Sequence, residues 1–216
     1  CRVIEQSFEG MLLRIDGTEA WSTLIGNHNA YNLLAIHTTA VELGADPEEV
    51  LVAMSTLRPA PGRLENIRGP KDVSVIIDYA HTPDALEKAL TALRPHATRL
   101  TVLFGAGGDR DTGKRAEMGR IAELYADFAI ITDDNPRNES PEDIRRDILS
   151  GIKNENHVTL PDRKKAITHA VLSAAPGETL LLAGKGHESY QLIMGQRIPF
   201  SERKILERAD LLKLPT

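Results

Sequence analysis

Phe128-Ala129-Ile130-Ile131-Thr132-Asp133-Asp134-Asn135-Pro136-Arg137 is the stretch on which the fold turns. An apolar run makes a short strand, and two carboxylates, an amide, a proline and an arginine stand where it ends. Open α/β sheets bind their ligands outside the carboxyl ends of the strands. Asn135 and Arg137 form a fork suited to one end of an amino acid, and Pro136 limits how the loop can move. A turn with an Asx cap ahead of the next helix explains the same hexapeptide on structural grounds alone.

Working outward, strand and helix signals alternate from Val73 onward. Strands are predicted at 73–78, 100–104, 128–132, 157–160 and 179–183. Helices are predicted at 83–93, 115–125, 141–152, 163–174 and 201–212. Short continuous apolar strands between helices of this length imply a mostly parallel sheet covered on both faces. Before Val73 the pattern differs. Strands at 10–15 and 21–25 precede helices at 30–43 and 47–57, the second opened by Pro47 with Glu48 and Glu49 behind it. Arg58-Pro59-Ala60-Pro61-Gly62-Arg63, with Gly69-Pro70, marks a domain boundary. The expected division is 1–60 and 61–216.

The chain has 216 residues, 41% hydrophobic and 26% charged, as befits a soluble globular protein of one or two domains. A net charge of −5 without a basic stripe argues against nucleic acid as a partner. The single cysteine, Cys1, excludes an internal disulfide or a multi-cysteine zinc site and fits a reducing cytosol. No apolar run reaches the ~20 residues that span a bilayer, so no membrane partner is expected. The chain opens at Cys1-Arg2-Val3-Ile4, already strand-like and without a methionine, and reads as a piece of something longer.

Polar, glycine-containing loops follow the predicted strands. Asp78-Tyr79-Ala80-His81-Thr82-Pro83 ends the first, and Thr82 suits the cap of the helix behind it. Asp78 and His81 alone do not make a metal site. Gly105 to Arg115 is not a dinucleotide fingerprint, because its third glycine would fall at Arg110. Gly108 to Lys114 spells the start of a phosphate loop, but Arg115 stands where a hydroxyl must hold magnesium. What remains is a glycine-rich loop near a helix N-terminus with Arg110, Lys114 and Arg115, an arrangement that favours anions. In Ala183-Gly184-Lys185-Gly186-His187-Glu188 the glycines permit close backbone approach, and Glu188 can receive an ammonium.

Six segments in order together resemble the Mur ligases, in particular the type that adds diaminopimelate. They are Gly26-Asn27-His28-Asn29-Ala30-Tyr31-Asn32, Arg58 to Arg63, Asp78 to Pro83, Gly107-Gly108-Asp109-Arg110-Asp111, Asp134 to Arg137, and Gly184 to Glu188. The resemblance implies a Rossmann-like C-terminal domain preceded by the tail of a central ATPase domain. It implies an ATP- and Mg2+-dependent cytoplasmic bacterial enzyme of peptidoglycan synthesis. Such an enzyme joins meso-diaminopimelate to UDP-MurNAc-L-Ala-D-Glu through an acyl phosphate. Carried over residue by residue, Asn29, Asn32, Arg63, Asp78 and His81 would line the ATP site. Arg110, Asp134, Asn135, Pro136, Arg137, Gly184 and Glu188 would hold the diaminopimelate. No catalytic or metal-binding residue is assigned. Lysine-adding relatives differ at the arginine of Asp134 to Arg137. The other readings are a non-catalytic diaminopimelate- or muropeptide-binding module and another Mur-like ligase, lysine-adding or folylpolyglutamate synthetase-like. Gly-Lys-Thr and Gly-Lys-Ser occur nowhere in the chain, so no ATP turnover is expected from it alone.

Overall fold

The computed structural model describes residues 1–208, in two compact units divided between Ala60 and Pro61. In the first unit, β1 (Arg2–Gln6), β2 (Met11–Ile15) and β3 (Thr18–Ser22) form an antiparallel meander. Alternation along β2 turns Met11, Leu13 and Ile15 inward. They pack with Leu33 of α1 (Asn27–Glu42) and with Val50, Leu51 and Met54 of α2 (Pro47–Ser55). Asp46 caps α2, accepting from the Glu48 and Glu49 amides at 2.9 and 3.0 Å.

The second strand expected here, 21–25, lies earlier than the sequence suggested. Ile15 pairs with Thr18 across the two-residue turn Asp16-Gly17, both with positive φ (49° and 91°). Such a turn pulls the next strand forward to Thr18 and leaves Leu24 and Ile25 beyond its end.

The second unit is built on a six-stranded sheet in the order β4-β5-β9-β6-β7-β8. β5 (Ser74–Asp78), β6 (Leu100–Phe104), β7 (Phe128–Ile131), β8 (His157–Thr159) and β9 (Thr179–Ala183) run parallel. The α/β class with a mostly parallel sheet is therefore as expected. β4 (Glu65–Arg68) pairs antiparallel with β5 and was not foreseen, since its polar sequence lies within the connector. β6 and β9 are buried at every position, consistent with their unbroken apolar runs.

The intervening helices are α3 (Pro83–Leu93), α4 (Gly113–Tyr125), α5 (Pro141–Leu149) and α6 (Arg163–Ser173). Thr82 does cap α3, its hydroxyl accepting from the Ala85 amide at 3.3 Å. A hairpin of β10 (Tyr190–Ile193) and β11 (Gln196–Pro199) was also unforeseen. Its turn, Met194-Gly195, again has two positive φ values, 48° and 75°. The closing helix, α7, is described over Glu202–Arg208, and the remainder of the expected span lies outside the described residues.

β9 enters the sheet between β5 and β6, and Ala183 lies level with Asp78. The loops after β5 and β9 are therefore neighbours at the carboxyl edge, with those after β6 and β7 alongside.

Candidate functional site

At the carboxyl edge, the loop after β7 is held from three directions. Its Thr132 amide donates to Phe104 O (3.0 Å), and its Thr132 hydroxyl to Pro161 O (3.1 Å). The β10–β11 hairpin grips it through Arg137 N to Leu192 O (2.9 Å) and Met194 N to Arg137 O (2.7 Å). Gln191 Nε2 adds a bond to Asp134 O (2.9 Å). Asn135 is buried, and both ends of its amide are bonded. Oδ1 accepts from Lys185 Nζ and Leu192 N, both at 2.9 Å, while Nδ2 donates to Glu188 Oε2 at 2.9 Å.

Lys185 itself is 0% exposed and reaches Glu188 Oε2 at 2.6 Å. Burial works to raise the Glu188 carboxyl pKa. Hydrogen bonds from Lys185 and Asn135, with the charges of Lys185 and Arg137, outweigh it and hold Glu188 below the usual glutamate range. Two groups at this edge are poised for a ligand. Asp134 is buried, and its Oδ2 has no hydrogen-bond partner among the described residues. Arg137 is half-buried with φ 55°, and its Nη1 donates to Gly108 O at 2.7 Å. A guanidinium and a carboxylate oxygen without a hydrogen-bond partner thus stand on the same loop.

Close glycine packing makes this arrangement possible. A Cβ on Gly108 would lie 1.9 Å from Pro136 O, and one on Gly184 would lie 2.8 Å from Asp134 Oδ2. Gly108→Ala therefore displaces the Asp134–Arg137 loop, since backbone cannot yield as a flexible side chain would. Chemical denaturation should show a loss of roughly 1–3 kcal/mol. An unchanged midpoint would mean that the two loops are not in fixed contact.

Arg63, Tyr79, His81 and His187 cluster beside this pocket. The Arg63 guanidinium lies 4.9 Å above the Tyr79 ring, whose centroid is 4.6 Å from that of His81 and 5.3 Å from that of His187. Burial, then the Glu188 and Asp134 charges, push the Tyr79 phenol up against the pull of Arg63. Asp78 does a different job. Its two carboxylate oxygens accept from the Leu64 and Ala80 amides, both at 2.8 Å, which fixes the loop carrying Tyr79 and His81.

In the glycine-rich loop after β6, several of the groups expected to favour anions are bonded within the protein. Gly108 N donates to Asn135 O (2.9 Å), Asp109 N to Glu139 (3.2 Å) and Gly113 N to Asp111 (2.9 Å). Arg115 is 1% exposed and paired with Glu139 and Asp147. Lys114 Nζ bonds His81 O at 3.0 Å, and burial first, then Arg110 and Arg115, lower its pKa against Asp111 and Asp134. Arg110 remains exposed.

A family model described as "Mur ligase, glutamate ligase domain" matches residues 62–186. The chain belongs to the Mur ligase family. A relative from Bacteroides thetaiotaomicron, a UDP-N-acetylmuramoyl-L-alanyl-D-glutamate–2,6-diaminopimelate ligase, is 46% identical over 212 residues. That match covers 95% of this chain and 44% of the relative, so the chain spans less than half of that protein's length. A solved structure of a ligase of the same name superposes with a TM-score of 0.71 at 36% identity, covering 94% of this chain and 43% of the other. A folylpolyglutamate synthase from Thermotoga maritima shares the fold (TM-score 0.68) at 17% identity, covering 85% and 42%.

Within this Mur ligase chain, the structure gathers Asp134, Asn135, Pro136, Arg137, Gly184 and Glu188 at one sheet edge, with Arg63 and His81 in the adjoining cluster. Asn29 and Asn32 belong to the first unit. There Asn32 Nδ2 donates to Asn29 Oδ1 (3.2 Å), and Asn29 Nδ2 donates to Ile25 O (2.9 Å). Sequence reasoning passed over Lys185 and Tyr79. The one available signal was a lysine between two glycines at a strand end.

Proposed function

We propose that the chain is the amino-acid-binding part of an ATP-dependent acid–amino-acid ligase of bacterial peptidoglycan synthesis, acting in the cytoplasm. On this reading Pro61–Thr216 is its C-terminal domain and Cys1–Ala60 the tail of its central ATP-binding domain. The enzyme joins meso-diaminopimelate to UDP-MurNAc-L-Ala-D-Glu, whose grip comes mainly from domains outside this chain. The observation that carries the reading is that one loop bears the Arg137 guanidinium and a buried Asp134 Oδ2 with no hydrogen-bond partner among the described residues.

The distal end of meso-diaminopimelate bears one carboxylate and one ammonium. Arg137 suits the first with a planar fork, and Asp134 and Glu188 suit the second. Anchoring that end leaves the other amine as the nucleophile, presented to the acceptor carboxyl in a fixed direction. Lysine carries no distal carboxylate, and its entry leaves a desolvated guanidinium unpaired at ~1–3 kcal/mol. Arg110 adds positive charge at the rim.

ATP supplies the phosphoryl group that activates the acceptor carboxyl. Arg63 and His81 fit a phosphate-bearing nucleotide, being exposed with Arg63 stacked on Tyr79. Asp78 holds their segments through the Leu64 and Ala80 amides, and Asn29 and Asn32 keep the nucleotide role that the family resemblance gives them. No residue of this chain is assigned to Mg2+.

Phosphate release by the complete ligase tests the assignment. It should saturate with meso-diaminopimelate and not with L-lysine, and equal kcat/KM for the two would overturn it. With Arg115 locked on Glu139 and Asp147, the 216-residue chain alone should hydrolyse no ATP. Calorimetry giving it micromolar affinity for Mg-ATP would contradict that.

A further inference from the structure

A lysine that is 0% exposed needs a reason to be there, because an ammonium taken out of water must recover its hydration from fixed partners. Lys185 has two, Asn135 Oδ1 at 2.9 Å and Glu188 Oε2 at 2.6 Å, with the Tyr190 ring centroid 5.9 Å away. Those partners come from the loops after β7 and β9, whose shared edge carries the charges aimed at a ligand. Leu192 N already holds the Asn135 amide in its orientation, at 2.9 Å from Oδ1, so the group that depends on Lys185 is Glu188.

We propose that Lys185 is a positioning residue for amino-acid recognition, a buried counter-ion that keeps Glu188 as an aligned anion at this edge. The inference rests on the reading of this edge as an amino-acid site. The charges around Glu188 support it. Lys185 and Arg137 are the two that hold its carboxyl down, and Lys185 also bonds it directly. Without Lys185 only Arg137 and the Asn135 hydrogen bond oppose the burial that favours a proton on Glu188.

The groups facing Glu188 are Tyr79 from the β5 loop, Asn135 and Arg137 from the β7 loop, and Lys185 from its own loop. Arg137 and Asn135 remain in a Lys185→Met variant, and of the groups that lower its pKa only Lys185 is lost. The sign is therefore fixed. The Glu188 titration midpoint moves up, and ligand binding becomes weaker as pH falls through the new midpoint.

The test is carbon-detected NMR of the Glu188 carboxyl in this chain against pH, with meso-diaminopimelate titrations at neutral and mildly acid pH. In Lys185→Met the midpoint should rise and affinity should fall about tenfold or more, most at acid pH. Lys185→Arg, which keeps the charge, should hold the midpoint low. An unmoved midpoint in Lys185→Met overturns the proposal. The unaltered chain gives a check that needs no variant. Its Lys185 ammonium hydrogens should exchange slowly and its Glu188 midpoint lie below the usual range, and fast exchange with an ordinary midpoint overturns the proposal equally. A midpoint that moves while neither chain responds to meso-diaminopimelate supports the role of Lys185 and sinks the amino-acid reading instead.

Discussion

Replacing Arg137 by alanine in the ligase should lower kcat/KM for meso-diaminopimelate by more than about tenfold, with KM for ATP little changed. Truncating one side of a partly desolvated charge pair costs ~2–5 kcal/mol, and each 1.4 kcal/mol is a factor of about ten. The loss falls on amino-acid recognition because the guanidinium contacts Gly108 O from within the recognition loop and takes no part in the Arg63–Tyr79–His81 stacking. Discrimination against L-lysine should shrink in parallel, since the group left unpaired by lysine is gone. Arg137→Lys should resemble alanine in discrimination, because an ammonium lacks the planar fork. Arg137→Gly separates side chain from backbone. At φ 55° glycine is unstrained where alanine is not, so a loss equal to that of alanine assigns the effect to the guanidinium. A preference for diaminopimelate that survives all three changes would make this loop purely structural.

The sheet was legible wherever burial writes a continuous apolar run. Val75 to Ile77, Leu100 to Phe104 and Leu180 to Leu182 cannot face water on either side, and the sequence says so. β4 and β11 escaped notice for the opposite reason. Glu65-Asn66-Ile67-Arg68 lies at a sheet edge, and β11 is exposed along its whole length, so pairing rather than burial defines both. The Met194-Gly195 turn hides the hairpin further, because methionine rarely takes a left-handed conformation.

At the site, the loops were readable as loops, but their internal accounting was not. Asn135 and Lys185 lie 50 residues apart and meet only because β9 is inserted near β7 at the same edge. Arg115 looked like an anion-binding charge until its partners Glu139 and Asp147 were known. Asp78 carries a motif position yet spends its oxygens on backbone amides. Residue type proposes a role at such positions, and the tally of donors and acceptors decides it.

Arg163→Met should destabilise the chain by ~3–5 kcal/mol, the usual cost of breaking a buried ion pair from one side. Arg163 and Glu202 are both buried and joined by bonds of 2.9 and 2.8 Å, and Arg163 Nη2 also donates to Ala183 O at 2.7 Å. The pair therefore ties α6 and α7 to the end of β9, one residue before the site begins at Gly184. Burial raises the Glu202 pKa, and Arg163 partly offsets it, so removing Arg163 raises it further. For a carboxyl whose folded pKa lies above its unfolded value, the stabilising contribution is fully present below the ordinary glutamate range. It is lost as pH rises through the folded pKa. Arg163→Met should accordingly be most stable at mildly acid pH and weaken steadily toward alkaline pH, more steeply than the unaltered protein. Adding Glu202→Leu should flatten that slope and recover most of the loss, short of the ~1 kcal/mol or so for the Ala183 carbonyl left without its donor. Urea denaturation across pH reads all three. A penalty in Arg163→Met that does not vary with pH would mean Glu202 stays charged without its partner, and that packing, not the ion pair, holds α7 in place.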